Sequence, residues 1–305
     1  MLAEKAFDKS SHILRGAAVM TDLTLANGAL KLAASVYGRP DGPPLLFLHG
    51  LGLSRDSWEE GAQRLMDRYQ IWTLDFRGHG HSDRAETYDL EGYRSDAKAA
   101  LAAIARPTLI AGHLLGGVVA GLLAQSGDPN VRSAFLEDPP WYMGEPSEWR
   151  RTGAAKPFAG LSVRQASWQR DNTPLAAILD ALSNAPSPMG GIAKDHILPR
   201  HFLSQASALQ RQDNRCWAVA SPEVDHLMVP VPRERPLLCH AMVVQGDTRF
   251  GAVFLTGHET RFAKTSPHAE IVRYEGAGHN PHRSIAFENR FYGDLEAFAS
   301  RTLAS

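Results

Sequence analysis

The stretch that decides the fold covers residues 107–125 and reads PTLIAGHLLGGVVAGLLAQ. It begins with a continuously apolar run at residues 107–111, passes through GHLLGG at residues 112–117, and continues as an apolar segment rich in Gly and Ala. This order predicts a buried strand, a glycine-pinched turn and a helix. The same layout, with the pattern G-x-S-x-G, presents a nucleophile on its central residue. Here the central residue is Leu114, so the sequence predicts the turn but places a hydrocarbon on it.

Apolar strands alternate with helical segments on both sides of this stretch. The pair Asn27-Gly28, flanked by alternating apolar residues, predicts a β-hairpin. Short apolar strands are predicted at residues 44–48, 70–74, 131–136, 237–244 and 271–274, and helices at residues 54–68, 90–105 and 287–300. Strands of this kind with helices between them predict an α/β fold with right-handed crossovers and a mainly parallel sheet flanked by helices. Ser54 or Asp56 is expected to cap the first helix.

The alternation stops between residues 141 and 235, where no buried strand is predicted. Amphipathic pieces at residues 175–182 and 200–212 predict helices, with turn-rich spacers between them. We therefore expect a first part of an α/β core at residues 1–140, a helical cap at residues 141–235, and a second part of the core at residues 236–305.

Composition limits what the chain can bind. It has 305 residues, 44% of them hydrophobic, and a net charge of −1, which indicates a globular protein without a charged surface for nucleic acid or membranes. No apolar run approaches ~20 residues, and no signal peptide is apparent. Cys216 and Cys239 are far apart and indicate free thiols of a reducing compartment. We expect a cytoplasmic protein without nucleic-acid or membrane partners, and without a metal or cofactor, since no metal-binding motif is found.

Four loops at the predicted carboxyl ends of strands carry the candidate site, because ligands bind at that edge of an open α/β sheet. The first loop is HGLG at residues 49–52. The N–H of Leu51 could act with that of Leu115 as an oxyanion hole, and the alternative is a plain glycine-rich turn. The second loop is the turn at residues 112–117 itself, whose glycines suit a strained turn and a close approach of strand and helix.

The third and fourth loops supply an acid and a histidine. Glu137 and Asp138 follow a predicted strand, and either carboxylate could orient a histidine or merely cap a loop, with Asp138 the first choice. His279 follows Gly276 and Gly278 after the last strand and is expected to act as a general base rather than as a structural histidine.

The remaining candidate residues are expected to bind substrate. Gly50 and His113 lie beside the turn, although a structural role is the favoured alternative for His113. Trp141 and Tyr142 follow the acid closely and are expected to line the pocket entrance, with a core position as the alternative. An apolar pocket of this kind favours a small hydrophobic substrate, and a homodimer formed through a cap helix is left open.

Four motifs occur in one order along the chain: HGLG at residues 49–52, DFRGHGHSD at 75–83, GHLLGG at 112–117 and GAGHNPH at 276–282. Together they resemble the α/β-hydrolase superfamily over about residues 20–303. The resemblance implies the α/β-hydrolase fold and a Ser–acid–His triad with the histidine last in the chain.

Residue by residue, the resemblance places His279 at the histidine position, Leu51 and Leu115 at the oxyanion donors, and Leu114 at the nucleophile position. The acid of the superfamily commonly lies three positions after Gly246, where this chain has Arg249. Some members carry it one strand earlier, which here means Asp138 or Glu137.

Three functions follow from a leucine at the nucleophile position. The first, favoured by the motifs, is a hydrolase for a hydrophobic ester, lactone or amide in an inactivated or variant form. The second is a cofactor-independent dioxygenase or lyase, which resembles this fold and would use a His279–Asp138 dyad without a nucleophile. The third is a non-catalytic binder of a small molecule.

Overall fold

The computed structural model describes residues 11–14, 18–151, 155–220 and 231–303. In these residues nine strands form one sheet, in the order β1-β2-β3-β5-β4-β6-β7-β8-β9. The strands are β1 Ser11–Leu14, β2 Ala18–Asn27, β3 Leu30–Gly38, β4 Pro44–Leu48, β5 Gln70–Leu74, β6 Thr108–His113, β7 Val131–Glu137, β8 His240–Gln245 and β9 Ala269–Arg273. Strands β4 to β9 run parallel to their neighbours, and β1 to β3 form an antiparallel extension on β5.

Helices lie on both faces of the sheet. They are α1 Glu59–Leu65, α2 Leu90–Ile104, α3 Leu115–Ala124, α4 Pro146–Arg151, α5 Ala155–Arg170, α6 Leu175–Ser183, α7 Pro199–Arg211, α8 His258–Thr265 and α9 Glu288–Leu303. In β4, Leu46 and Leu48 belong to the core cluster that contains α2 and α3, whereas Leu45 and Phe47 belong to the cluster that contains α1 and α9. Both faces are covered, which explains why this strand is apolar throughout.

Several predicted elements coincide with the structure. The strands predicted at residues 44–48 and 70–74 have those bounds, and the predicted β-hairpin joins β2 to β3. Its turn lies at Gly28 and Ala29, one residue later than the predicted pair, because Asn27 is the last residue of β2 and pairs with Leu30. Gly28 has a φ of 61°, the left-handed conformation that this hairpin turn needs and that glycine adopts without strain.

Other boundaries differ from prediction. The strand predicted from residue 237 begins at His240, because the Leu237 N–H donates to Ser266 Oγ at 3.0 Å and the Leu238 N–H donates to Ala124 O at 2.8 Å, outside the sheet. The helix predicted over residues 54–68 starts as a 3-10 turn and becomes α1 only at residue 59. Ser54 precedes that turn without a side-chain cap bond.

Between β7 and β8 the described residues form four α-helices, α4 to α7, and two 3-10 helices, and they add no strand to the sheet. We call residues 141–235 the inserted segment. The Arg200 side chain of α7 forms an ion pair with Glu288 of α9. The division of the chain at residues 140 and 235 into core and cap stays a prediction.

Candidate functional site

The turn between β6 and α3 has the conformation that the glycine pattern predicts. Leu114 has φ 51° and ψ −112°, a positive φ that is uncommon for a residue with a side chain. Its N–H donates to Glu137 O at 3.1 Å, and its carbonyl accepts from the Val118 N–H at 3.1 Å. Leu114 is only 6% exposed. The turn that would present a nucleophile is therefore formed, and it buries a leucine.

Two glycines make this turn sterically feasible. A Cβ at Gly112 would overlap the Gly116 carbonyl oxygen, and a Cβ at Gly116 would overlap the Leu48 carbonyl oxygen. Strand and helix therefore approach so closely that only glycine fits at either position.

The loop at residues 49–53, which we call the oxyanion loop, packs directly against the turn. A Cβ at Gly50 would lie 2.6 Å from His113 Nδ1 and 3.2 Å from Leu114 Cβ. Within the described part of the chain, the N–H groups of Leu51 and Leu115 donate to no acceptor. Leu115 is the first residue of α3, where the helix dipole favours negative charge. Both donors are free for a ligand oxygen.

His279 and Asp138 form a short contact across the ends of β9 and β7. His279 Nδ1 lies 2.6 Å from Asp138 Oδ2. Asp138 is fully buried and also accepts the N–H groups of Val253 at 2.8 Å and Phe254 at 2.9 Å, one on each carboxylate oxygen. When Nδ1–H donates to this carboxylate, Nε2 of the neutral ring keeps a lone pair. Nε2 is buried and has no partner among the described residues.

Glu137, the second candidate acid, contacts a different histidine. Its Oε1 accepts the His282 N–H at 2.9 Å, and its Oε2 lies 2.7 Å from His282 Nδ1 in a short but poorly aligned contact. Burial raises the pKa of Glu137 well above its usual range and lowers the pKa of His282 well below its own, and each shift disfavours the charged form of its group. The expectation that Glu137 could orient His279 is thereby corrected: Glu137 contacts His282, in the loop that follows His279.

A third carboxylate, Asp247 at the end of β8, also does not bond to His279. It pairs with Arg249 at 2.6 Å and accepts the Gly276 N–H at 3.0 Å. The hydrogen bond from Arg249 is the main cause that holds the pKa of Asp247 well below its ordinary value. Asp247 therefore fixes the glycine turn before His279.

Comparison with known proteins agrees with this fold. The family model described as "Alpha/beta hydrolase family" matches residues 45–287. The chain belongs to the α/β-hydrolase family. It is similar to "Serine hydrolase-like protein 2" of Homo sapiens, with 25% identity over 236 residues, which are 74% of this chain and 75% of that protein.

Two further comparisons are with proteins named as hydrolases. The chain is 34% identical over 110 residues to 2-(acetamidomethylene)succinate hydrolase of Mesorhizobium japonicum, covering 35% of this chain and 40% of that protein. A crystal structure titled as an E-2-(acetamidomethylene)succinate hydrolase has a TM-score of 0.71 at 18% identity, covering 94% of this chain and all of that one. The structural likeness shows the α/β-hydrolase fold.

Two absences concern the described residues alone. No helix in the described ranges is long and apolar enough to cross a membrane. No cluster of three or more His, Cys, Asp or Glu side chains that could hold a metal ion occurs in the same part of the chain.

His113 lies within this α/β-hydrolase site but is closed off from solvent. Its Nε2 is 3.3 Å from His279 O, and its ring centroid lies 4.8 Å from that of His279 and 5.0 Å from that of His282. Burial, reinforced by the charge of a protonated His279, lowers the pKa of His113 well below its usual range. His113 is therefore a neutral ring packed behind the turn.

Trp141 and Tyr142 do not line a pocket entrance, which corrects the expectation from sequence. Trp141 is 1% exposed, its ring packs edge-on against Phe262 at 5.7 Å, and a Cβ at Gly121 would overlap it. Tyr142 is 0% exposed and packs against His258 of α8. The two rings fill the interior beside α3 and α8, which is the core alternative.

Two parts of this site have no signal in the sequence. The N–H groups of residues 253 and 254 that cradle Asp138 belong to the backbone, which any residue type supplies. Gln212 also contacts the oxyanion loop and lies 160 positions from its partner Gly52.

Proposed function

We propose that the chain is a hydrolase for a hydrophobic ester, lactone or amide, in which Leu114 stands at the nucleophile position. His279 is the base, Asp138 orients it, and the N–H groups of Leu51 and Leu115 form the oxyanion hole. The observation that carries this proposal is the 2.6 Å contact of His279 Nδ1 with Asp138, which leaves a buried Nε2 without a partner. Substrate choice would lie in the helical cap proposed at residues 141–235.

The chemistry of this site follows from the two ring nitrogens. Asp138 holds the Nδ1 proton and stabilises the positive ring that forms when Nε2 accepts a proton. Leu114 offers neither a lone pair nor a proton. In this chain His279 is therefore left to take the proton from a water molecule whose oxygen attacks the substrate carbonyl, and to return it to the leaving group.

The absence of a nucleophile is expected to lower kcat by a large factor. In a well-studied serine protease, loss of the nucleophile lowers kcat by about 10⁶, and the oxyanion hole with binding alone retains roughly 10³–10⁴ over water. The unaltered chain is therefore expected to be a slow hydrolase. A hydroxyl restored at position 114 would find its base and its oxyanion donors in place.

A second function is favoured by the same residue. A buried leucine beside an intact His279–Asp138 pair suits a base that takes its proton directly from the substrate, as a cofactor-independent dioxygenase or a lyase would. Such a reaction needs no nucleophile, and the apolar side chain would then shape the pocket for a flat or aromatic substrate.

The test compares the unaltered chain, Leu114→Ser, and Leu114→Ala as a matched control that removes the leucine without adding a hydroxyl. Each is assayed against aryl esters and lactones, with products and any covalent acyl-enzyme detected by mass spectrometry. We expect Leu114→Ser alone to gain at least about 10²-fold in kcat/KM, and the further substitution His279→Ala to remove the gain.

Other outcomes separate the alternatives. Equal gains in Leu114→Ala and Leu114→Ser would assign the effect to added space and contradict the nucleophile position. If Leu114→Ser gains nothing while the unaltered chain consumes oxygen or cleaves an aromatic substrate in a His279-dependent manner, the dyad enzyme is the function. A ligand whose affinity survives His279→Ala without any turnover would indicate the binder.

A further inference from the structure

A side chain from the inserted segment holds the oxyanion loop. Gln212, the residue after α7, accepts a hydrogen bond from the Gly52 N–H through Oε1 at 3.0 Å. Gln212 is fully buried. Gly52 has a φ of 80°, so the loop makes a left-handed turn at the bonded residue. The hydrogen bond therefore fixes the peptide between Leu51 and Gly52 at a point where the backbone turns.

The preceding peptide is fixed from the other side. Its carbonyl, Gly50 O, accepts from the Leu53 N–H at 3.2 Å and lies 2.9 Å from His49 Nδ1. In a trans peptide the C=O and N–H point in opposite directions, so these bonds aim the Leu51 N–H away from them. Leu51 thus lies between two restrained peptides, one held within the loop and one held by Gln212.

Gln212 is itself held by a buried glutamine. Gln165 of α5 is fully buried, and its Nε2 donates to the carbonyl oxygens of Gln212 at 2.9 Å and Leu209 at 3.0 Å. The indole N–H of Trp217 donates to Gln165 Oε1. A buried network with paired donors and acceptors is rigid, because breaking one bond leaves a polar group unpaired in a dry interior.

The ring of Trp217 adds an apolar contact at Gly52 of the oxyanion loop. A Cβ at Gly52 would lie 3.0 Å from Trp217 Cη2, tighter than side chains normally tolerate. Among the described residues of the inserted segment, Gln212 therefore contacts the oxyanion loop at Gly52 through a hydrogen bond and Trp217 contacts it through an aromatic edge.

We propose that Gln212 is a positioning residue for the reaction: by holding the Gly52 peptide it keeps the Leu51 N–H aimed at the developing oxyanion, and it links the inserted segment to that donor. This inference rests on the proposed function for the role of Leu51. The hydrogen bond to Gly52 can be tested separately from catalysis.

The test uses Gln212→Met, which keeps the length of the side chain and removes the acceptor. The matched control is Gln169→Met, because Gln169 donates to the Gln212 carbonyl at 2.7 Å but does not contact the loop. Amide hydrogen exchange is measured at Gly52 in both proteins, together with unfolding midpoints to establish that each is folded. Loss of one hydrogen bond predicts about fivefold to tenfold faster exchange at Gly52 in Gln212→Met alone.

The catalytic part is measured in Leu114→Ser protein. Adding Gln212→Met is expected to lower kcat by about tenfold with KM unchanged within about twofold, because the oxyanion forms only during reaction. Gln212→Glu, which retains an acceptor oxygen, is expected to recover most of kcat. Unchanged Gly52 exchange, or equal effects of Gln212→Met and Gln169→Met, would overturn the inference. Absence of hydrolysis in Leu114→Ser itself would refute the proposed function, and the exchange data would still decide whether Gln212 holds the loop.

Discussion

Replacing Asp138 by asparagine removes the charge of the acid while keeping its shape. The carboxylate accepts three hydrogen bonds: His279 Nδ1 and the Val253 N–H on Oδ2, and the Phe254 N–H on Oδ1. An asparagine has one acceptor oxygen and a donor NH₂ group. At least one of the three donors must therefore lose its acceptor in Asp138→Asn.

The two orientations of the new amide have different consequences. With its oxygen at the Oδ2 position, His279 and Val253 keep their acceptor, and the Phe254 N–H faces the NH₂ group. With its oxygen at the Oδ1 position, the NH₂ group faces His279 Nδ1. The ring must then present its lone pair at Nδ1 and its proton at Nε2, so the base is lost.

Both effects have an expected size. A buried donor without an acceptor costs about 1–3 kcal/mol, so the free energy of unfolding should fall by about that amount. In a well-studied serine protease the equivalent change lowers kcat by about 10⁴ through the wrong tautomer, which corresponds to about 5.5 kcal/mol of barrier. We expect a loss of this order for Asp138→Asn made in Leu114→Ser protein.

The matched control is Asp247→Asn, a carboxylate at the end of the neighbouring strand that holds Arg249 and Gly276 but does not bond to His279. Urea unfolding measures stability, kcat/KM on an aryl ester measures the reaction, and ¹⁵N shifts of the His279 ring report its tautomer in the unaltered chain. The assignment of Asp138 as the acid fails if Asp247→Asn slows hydrolysis as much, or if Asp138→Asn lowers it less than about tenfold.

Three further predictions concern stability. Gly112→Ala presses a Cβ onto the Gly116 carbonyl and should lower the free energy of unfolding by about 1–3 kcal/mol or more. The control Gly160→Ala, in an open part of α5, should raise the free energy of unfolding by about 0.5–1 kcal/mol. Equal urea midpoints for the two variants would contradict the packing argument. Burial lowers the pKa of His113, so below pH ~6.5 the unfolded chain binds a proton at this ring that the folded chain does not bind, and the free energy of unfolding decreases as the pH falls. In urea titrations, His113→Gln should reduce this decrease between pH 7 and 5.5 by about 1.2 kcal/mol. Burial raises the pKa of Glu137, so the folded chain keeps that proton to a higher pH than the unfolded chain does, and stability is gained as the pH falls from 7 towards 5. Glu137→Gln should weaken this gain in urea titrations, and an unchanged pH slope would contradict the shift.

The sequence predicted those parts of the fold that depend on local patterns. A continuously apolar run such as residues 44–48 is stable as a strand whose two faces are both buried. The bounds of this strand were predicted correctly. Residues 237–239 continue an apolar run but bond to a helix end and a serine, so β8 starts later. The pattern of apolar residues does not show where the backbone stops forming hydrogen bonds with the neighbouring strand, because tertiary contacts decide which acceptor each N–H finds.

The candidate site also has parts that local sequence patterns predict and parts that depend on tertiary contacts. Short motifs identified the turn, the oxyanion loop and His279, because each needs particular residue types at fixed spacing. The choice between Asp138 and Glu137 depends on direction: successive residues at a strand end point to opposite faces, so one reaches His279 and the other reaches His282. No pattern in the sequence shows on which of those faces the histidine loop lies. No pattern indicates a role for Gln212 either.

The conformation at the turn bears on the choice among the three functions. Leu114 at φ 51° and Asp138 at φ 40° both occupy conformations that disfavour a side chain, at a cost on the order of 1–3 kcal/mol each. His279 adds a buried Nε2 without a partner among the described residues. A binder of an apolar molecule gains nothing from these features, since a neutral, saturated pocket binds it as well. A reaction in which a proton moves to Nε2 makes use of all these features, and this argument supports our proposal of an enzyme with His279 as base over a binding module, whichever substrate supplies the proton.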